Sequence, residues 1–116
     1  LRDATAHAEM IALTQASAAL GDWRLNNAVL YVTKEPCPMC AGAMVLARIG
    51  RLVFGMSDIE HGGAVSLFNI ANNQALNHRI EITPGVLEFE CRTIIREFFQ
   101  ARRTEKQRNG KSGHEC

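Results

Sequence analysis

Two short motifs, 30 residues apart, constrain what this chain can fold into: His7-Ala8-Glu9 and Pro36-Cys37-Pro38-Met39-Cys40. A histidine and a Cys-x-x-Cys pair supply three soft ligands. A catalytic zinc site typically uses three protein ligands in a tetrahedron and leaves the fourth position to water. Glu9 is then not needed as a ligand and can move protons for that water. Any fold that honours this count must bring two distant segments into one coordination sphere, and the count points to hydrolysis rather than to a structural clip.

At 116 residues the chain has the size of one domain with a single apolar core. Its longest apolar runs, such as Ala41 to Ala47, are far too short to cross a bilayer, so no membrane association is expected. Four cysteines would allow two disulfides. Cys37 and Cys40, however, have ligand spacing, while Cys91 and Cys116 fall in a helix-like segment and at the last residue. A reducing cytoplasm with bound metal is the expectation. From Arg102 to Lys111 there are five basic residues (Arg102, Arg103, Lys106, Arg108, Lys111) and one acid, Glu105, a local charge of +4; with a net charge of +1, the rest carries −3. By itself such a run reads equally as a solvated helix end.

The pattern along the chain alternates helices and strands. Ala6 to Leu20 is Ala-rich and stops at Gly21, as a helix with a glycine C-terminus does. Ala28 to Thr33 is a continuous β-prone run, the pattern of a strand buried on both faces. Pro38 suits the first turn of a second helix, running to about Arg48. Arg51 to Met56 reads as the next strand, and Ser57 to Gly63 as a loop in which Gly62-Gly63 permits unusual backbone angles. Arg79 to Thr83 is a short strand ending at Pro84-Gly85. From Val86 onward, Leu87, Cys91, Ile94, Ile95 and Phe98 fall on one helical stripe, and core packing is expected for Phe98. The order predicts an α/β layered fold with a largely parallel sheet flanked by helices. One domain is expected over residues 1–110, with residues 111–116 as a disordered tail.

Cys37 and Cys40 stand at i and i+3, so the first turn of a helix puts both sulfurs on one side, where free N–H groups and the macrodipole favour thiolates. His7 lies at the entry of the other helix, so two helix N-termini can converge on one ion. A lone Cys-x-x-Cys also serves redox pairs and structural zinc knuckles. A redox role leaves His7 and Glu9 without a task. A structural site requires a fourth ligand, for which His61, His78, Cys91, His114 and Cys116 are available on paper, although His61 and His78 read as loop or strand-edge residues. The combination of both motifs is the pattern of zinc deaminases.

The chain resembles the cytidine and deoxycytidylate deaminase superfamily and, within it, the bacterial tRNA-specific adenosine deaminases of the TadA type. The resemblance runs through Thr5-Ala6-His7-Ala8-Glu9, Leu30-Tyr31-Val32-Thr33, Glu35-Pro36-Cys37-Pro38-Met39-Cys40-Ala41-Gly42-Ala43, Arg48 to Gly55, Asn77-His78-Arg79 and Phe98 to Arg103. It implies a three-layer cytidine-deaminase-like sandwich, one zinc per chain on His7, Cys37 and Cys40, and a homodimer. The implied reaction is adenosine to inosine at the wobble position of a tRNA anticodon, with activated water attacking C6 of a flipped-out adenine. Glu9 would carry the protons, and the backbone around Ala8 and Cys37 would help place the water. The resemblance further implies RNA contacts by Asp58, by Asn77, His78 and Arg79, and by Phe99, Arg102 and Arg103 on the last helix; the anticodon stem-loop is the expected partner.

Members of that family carry an N-terminal helix and a β-hairpin before the His-Ala-Glu motif. The expectation is therefore a fragment of the family's sequence, with three strands where the family has five and an open edge on the strand at Ala28 to Thr33. Two alternatives stay open: a guanine- or cytidine-type deaminase, and a catalytically impaired, zinc-stabilised RNA-binding fragment.

Overall fold

A computed structural model of the chain describes residues 3–109. The expected tail at 111–116, with His114 and Cys116, lies outside the described residues. Six elements follow in order: α1 (Ala8–Leu20), β1 (Val29–Lys34), α2 (Pro38–Leu46), β2 (Arg51–Met56), β3 (Glu81–Thr83) and α3 (Glu88–Asn109). The three strands form a sheet in the order β1-β2-β3, and both pairings are parallel. Register is set by Val32 opposite Phe54 and Lys34 opposite Met56 on one side of β2, and by Leu52 opposite Ile82 on the other. Side chains alternate across a strand, so Leu52 and Phe54 share one face and Val53 and Gly55 the other.

The first face carries the core. Leu52 and Phe54 pack with Leu13 of α1, Met44 of α2, and Leu25, Ile49 and Ile80 from the connections. On the opposite face α3 lies against β1 and β2. Its closest approach is at Gly55, where a Cβ would collide with the Cys91 sulfur and stand 2.7 Å from the Val86 carbonyl oxygen. Helices on both faces of a parallel sheet make the layered α/β arrangement that the strand and helix order predicted, with the three layers that the resemblance implied.

Three sequence readings are corrected. The strand expected to be buried on both faces is β1, and it is half-covered: exposed and half-buried residues alternate along it, and Tyr31 is 72% exposed. Its apolar run looks like that of β2, but β2 is the central strand and β1 an edge. Second, the apolar stripe of α3 is turned. Cys91, Ile95 and Phe99 are half-buried, while Ile94 and Phe98 are exposed, Phe98 by 52%. The contact of Cys91 with Gly55 selects which side of the helix meets the sheet. Third, Gly62 and Gly63 are not among the residues with positive φ; they are small because the Asp58 carbonyl and the Glu35 carboxylate crowd Gly62 and the Cys37-Pro38 backbone crowds Gly63.

Candidate active site

The site forms where β1 and β2 end, the place at which parallel sheets present ligands. His7 is the N-cap of α1 (φ −72°, ψ 151°), Cys37 is the N-cap of α2 (φ −71°, ψ 171°), and neither makes a side-chain capping bond. Cys40 lies three residues further, in the first turn of α2. Pro38 opens that helix without losing a bond, since the first helical N–H has no internal acceptor. Two helix N-termini therefore face one point, and their exposed amides and dipoles place partial positive charge there.

The His7 Nδ1 stands 3.5 Å from the Cys37 sulfur and 3.4 Å from the Cys40 sulfur. With the usual zinc bond lengths, neighbouring nitrogen and sulfur ligands on a tetrahedral ion stand about 3.6 Å apart. The three donor atoms lie within 4.8 Å of one another, and they are the one such group among the described residues. A metal ion fits this donor set without rearrangement. Among the described residues no fourth protein ligand joins them: His61 reaches Asp58 (3.6 Å), His78 Nε2 meets the Ile49 carbonyl (2.7 Å), and Cys91 lies over Gly55. None of Cys37, Cys40 and Cys91 forms a disulfide.

A cleft of about 680 Å³ opens beside the group, lined by His7, Ala8, Glu9, Cys37, Lys34 and Asp58 among others. Glu9 is half-buried and outside the ligand group. Ala8 is the first residue of α1, where an N–H points beyond the helix end. The other expected site residues divide. Asp58 is at the rim, but its carboxylate is engaged: it pairs with Lys34 (3.3 Å) and accepts from the His61 and Glu60 amides at 3.0 and 3.2 Å. Phe99 and Arg103 line a neighbouring groove that shares Lys34 and Ile95 with the cleft. Arg102 stands over the Phe98 ring at 5.8 Å. Asn77, His78 and Arg79 are not brought to the cleft. Asn77 and His78 sit by Val45, Leu46 and Arg48 at the far end of α2, about 13 Å along that helix from Cys37, and Arg79 holds Asn72.

Glu35 and Lys34 were missed in the sequence. Glu35 is the one buried charged residue among those described, 3% exposed. Its Oε2 accepts from the Val65 and Ser66 amides, both at 2.8 Å, and its Oε1 from the Asp58 amide at 3.0 Å and from the Ser66 hydroxyl. One carboxylate thus ties the loop after β2 to the end of β1. All four donors come from Asp58 to Ser66, so nothing near position 35 announces the role; the only local signal is an acid between a β-prone run and a proline.

Burial pushes the Glu35 carboxyl up, but the bonds from Ser66, Val65 and Asp58 outweigh it and hold it below the ordinary glutamate range. Asp58 behaves alike: burial raises it, and the His61 amide and Lys34 more than reverse this. A group whose folded pKa is depressed contributes stability above its unfolded pKa and loses it as pH falls through the folded one. Thermal melts are therefore expected to be flat near neutrality and to drop below about pH 4. Asp58→Asn should show a smaller acid loss, read as the difference in Tm between pH 7 and pH 3.

Gly63 backs the metal helix. Its amide donates to the Pro36 carbonyl at 2.8 Å, and a Cβ would come within 2.5 Å of the Pro38 nitrogen and 2.6 Å of the Cys37 carbonyl carbon. These neighbours are backbone and cannot swing away. Gly63→Ala is expected to destabilise the fold by about 1–3 kcal/mol and to lower metal retention, checked by urea unfolding and by metal content after gel filtration.

A parallel sheet between helix layers, with His and two Cys gathered at helix N-termini beside a glutamate, defines a deaminase-type α/β domain. The family described as MafB19-like deaminase matches residues 2–103, and the chain belongs to that family. The chain is 48% identical over 102 residues to a tRNA-specific adenosine deaminase of Bacillus subtilis, and 50% identical over 105 residues to one of Haemophilus influenzae. These alignments cover 88% and 90% of this chain and 63% and 61% of those proteins, so the chain spans less than two thirds of either relative. Among solved structures, a tRNA:A34 deaminase that performs A-to-I editing at the wobble position superposes with a TM-score of 0.74 at 41% identity, covering 79% of this chain and 67% of that one. A guanine deaminase of Nitrosomonas europaea superposes with a TM-score of 0.68 at 27% identity, covering 84% of this chain and 58% of that one. The fold is thus the cytidine-deaminase-like one.

Proposed function

We propose that the chain is the catalytic part of a zinc-dependent tRNA adenosine deaminase that converts adenosine to inosine at the wobble position. The observation that carries this reading is the three-ligand group with Glu9 beside it, at 41–50% identity to proteins of that activity. His7, Cys37 and Cys40 would hold one zinc ion. When bound, such an ion supplies a nucleophile at neutral pH by lowering the pKa of water.

The chain's own groups do the rest. The Glu9 carboxylate takes a proton from the attacking water and passes protons to the purine ring nitrogen and to the departing amine. Water enters, ammonia leaves, and the carboxylate ends as it began. The amides at the start of α1, near Ala8, and at Cys37 bias the charge that develops at C6. Asp58 supports this from the rim by holding Lys34 and its own loop. Phe99, Arg102 and Arg103 would meet anticodon-loop RNA, a reading supported by the groove that Phe99 and Arg103 line beside the cleft. Asn77, His78 and Arg79, which lie away from the cleft, would meet a more distant part of the stem-loop. Such a substrate places the protein in the cytoplasm, where its thiols stay reduced, and no helix among the described residues is long and apolar enough to cross a membrane.

The homodimer has a surface to use. α2 is apolar along its whole length, and helices of that kind belong in an interior; yet Leu46 is 77% exposed and Trp23 58%, flanking a groove between α1 and α2 that Met10 and Ala43 also line. Leu46→Asp is expected to shift the chain from dimer to monomer in light scattering.

The deciding experiment is inosine formation in an anticodon stem-loop by this chain, with its zinc content measured alongside. Turnover of free guanine or cytidine, with none of the stem-loop, would replace the reading by a nucleobase deaminase. Bound zinc and salt-sensitive RNA binding without any turnover would leave an RNA-binding module.

A further inference from the structure

We infer that Lys34 is a positioning residue of the cleft: its ammonium, set between the Asp58 carboxylate and the Phe99 ring, holds the loop after β2 and helix α3 at a fixed spacing across the cleft mouth. The inference rests on the deaminase reading above, and it adds a residue that acts through its neighbours rather than on the substrate. Lys34 ends β1, opposite Met56 of β2, and the chain reaches Cys37 three residues later. Its Nζ stands 3.3 Å from Asp58 Oδ2 and 5.9 Å from the centre of the Phe99 ring. Lys34 lines the metal cleft together with Asp58, and it lines the neighbouring groove together with Phe99. One side chain is thus the shared wall of both, and three elements meet on it.

The two contacts are unlike an ordinary surface pair. Exposed ion pairs contribute little, because water screens them and two side chains must be ordered. Here the side chains of Lys34 and Asp58 are only 25% and 12% exposed, so both charges are largely withdrawn from water and depend on each other. Asp58 is a fixed target. Its Oδ1 accepts from the Glu60 and His61 amides, and its own amide donates to the buried Glu35, which leaves Oδ2 to Lys34. Helix α3 is the movable partner. Among its described side chains, Phe99 is the last apolar one that is half-buried, after Cys91 and Ile95. A cation over a ring is held more firmly where water is excluded. Lys34 therefore fastens α3 to the rim at the place where its apolar contact with the sheet ends. Methionine at position 34 would keep the stem and drop the charge, so that the rim and α3 move independently.

The test compares Lys34→Met with the parent chain in inosine formation on the anticodon stem-loop, in stem-loop affinity in a Glu9→Ala background, and in amide hydrogen exchange. kcat is expected to fall about 10-fold, as it does when reacting groups are misplaced, with zinc still at one per chain. Affinity should change by less than about 2-fold and keep its dependence on salt, since no phosphate contact is lost. Lys34→Arg should restore most of kcat, because a guanidinium also pairs with a carboxylate and lies over a ring. In an Asp58→Asn chain the same Lys34→Met change should cost little more, the mark of two residues acting as one unit. Exchange at the Glu60 and His61 amides and at the α3 amides around Phe99 should quicken together, while α1 keeps its protection. Lower affinity with a shallower salt dependence and an unchanged kcat would make Lys34 an RNA contact and overturn the proposal. Additive losses with Asp58→Asn, or exchange that quickens in neither segment, overturn it as well. Inosine formation undiminished in Lys34→Met removes the clamp and leaves the deaminase reading. Coupled exchange in a zinc-loaded chain that makes no inosine does the reverse.

Discussion

Glu9→Ala is expected to lower inosine formation in an anticodon stem-loop by about 10²- to 10⁴-fold, the usual worth of a positioned general acid–base group, while zinc stays at one per chain. The second half of that expectation is what separates roles. His7, Cys37 and Cys40 form the donor group without Glu9, so removing the carboxylate should leave metal binding whole. His7→Ala should lose metal and activity together. A Glu9→Ala chain that keeps its activity would take proton transfer away from Glu9; one that loses its zinc would make Glu9 a ligand. Glu9→Gln sharpens the test, since an amide keeps the size and hydrogen bonds of the side chain but cannot accept and release the proton.

The largest stability effect is expected at Glu35. Its two oxygens accept from three backbone amides and one hydroxyl. In Glu35→Gln the amide nitrogen must face donors. On the Oε1 side the Ser66 hydroxyl can turn to accept, but the Asp58 amide cannot; on the Oε2 side two amides are opposed. A loss of about 2–4 kcal/mol follows from buried donors left without acceptors, which corresponds to a fall in Tm of roughly 10 °C. Urea midpoints should move at constant slope, the sign of lost stability rather than of a changed unfolded state. The loop that Glu35 holds carries Gly63, which abuts Cys37 and Pro38, so Glu35→Gln should also loosen metal retention. A Glu35→Gln chain as stable as its parent would refute the idea that this carboxylate organises the rim.

How much of this was legible beforehand varies residue by residue. The second strand was read at its observed bounds, Arg51 to Met56, and the first helix to within two residues at its start. Those stretches carry their signals locally: a β-prone run, an alanine-rich segment, a glycine at φ 67° closing α1. The exposure of Tyr31 and Phe98 was not legible, because it depends on whether another element covers that side of β1 or α3. Gly62 and Gly63 were recognised as special for the wrong reason. Their need is steric, set by Glu35 and Pro38, which lie at least 24 residues earlier in the chain.

The sequence by itself pointed to the chemistry proposed above: a histidine, two cysteines at i and i+3, and a spare glutamate have few uses besides a metal that activates water. That inference needs only the identity and spacing of donor groups, which are properties of the chain. The tertiary structure decided what surrounds those donors. It placed His7 and Cys37 at two facing helix caps, buried Glu35 under four donors, and set Lys34 between Asp58 and Phe99 beside the cleft. Burial, charge balance and shape at each of these points arise from segments distant in sequence, and only packing brings such segments together.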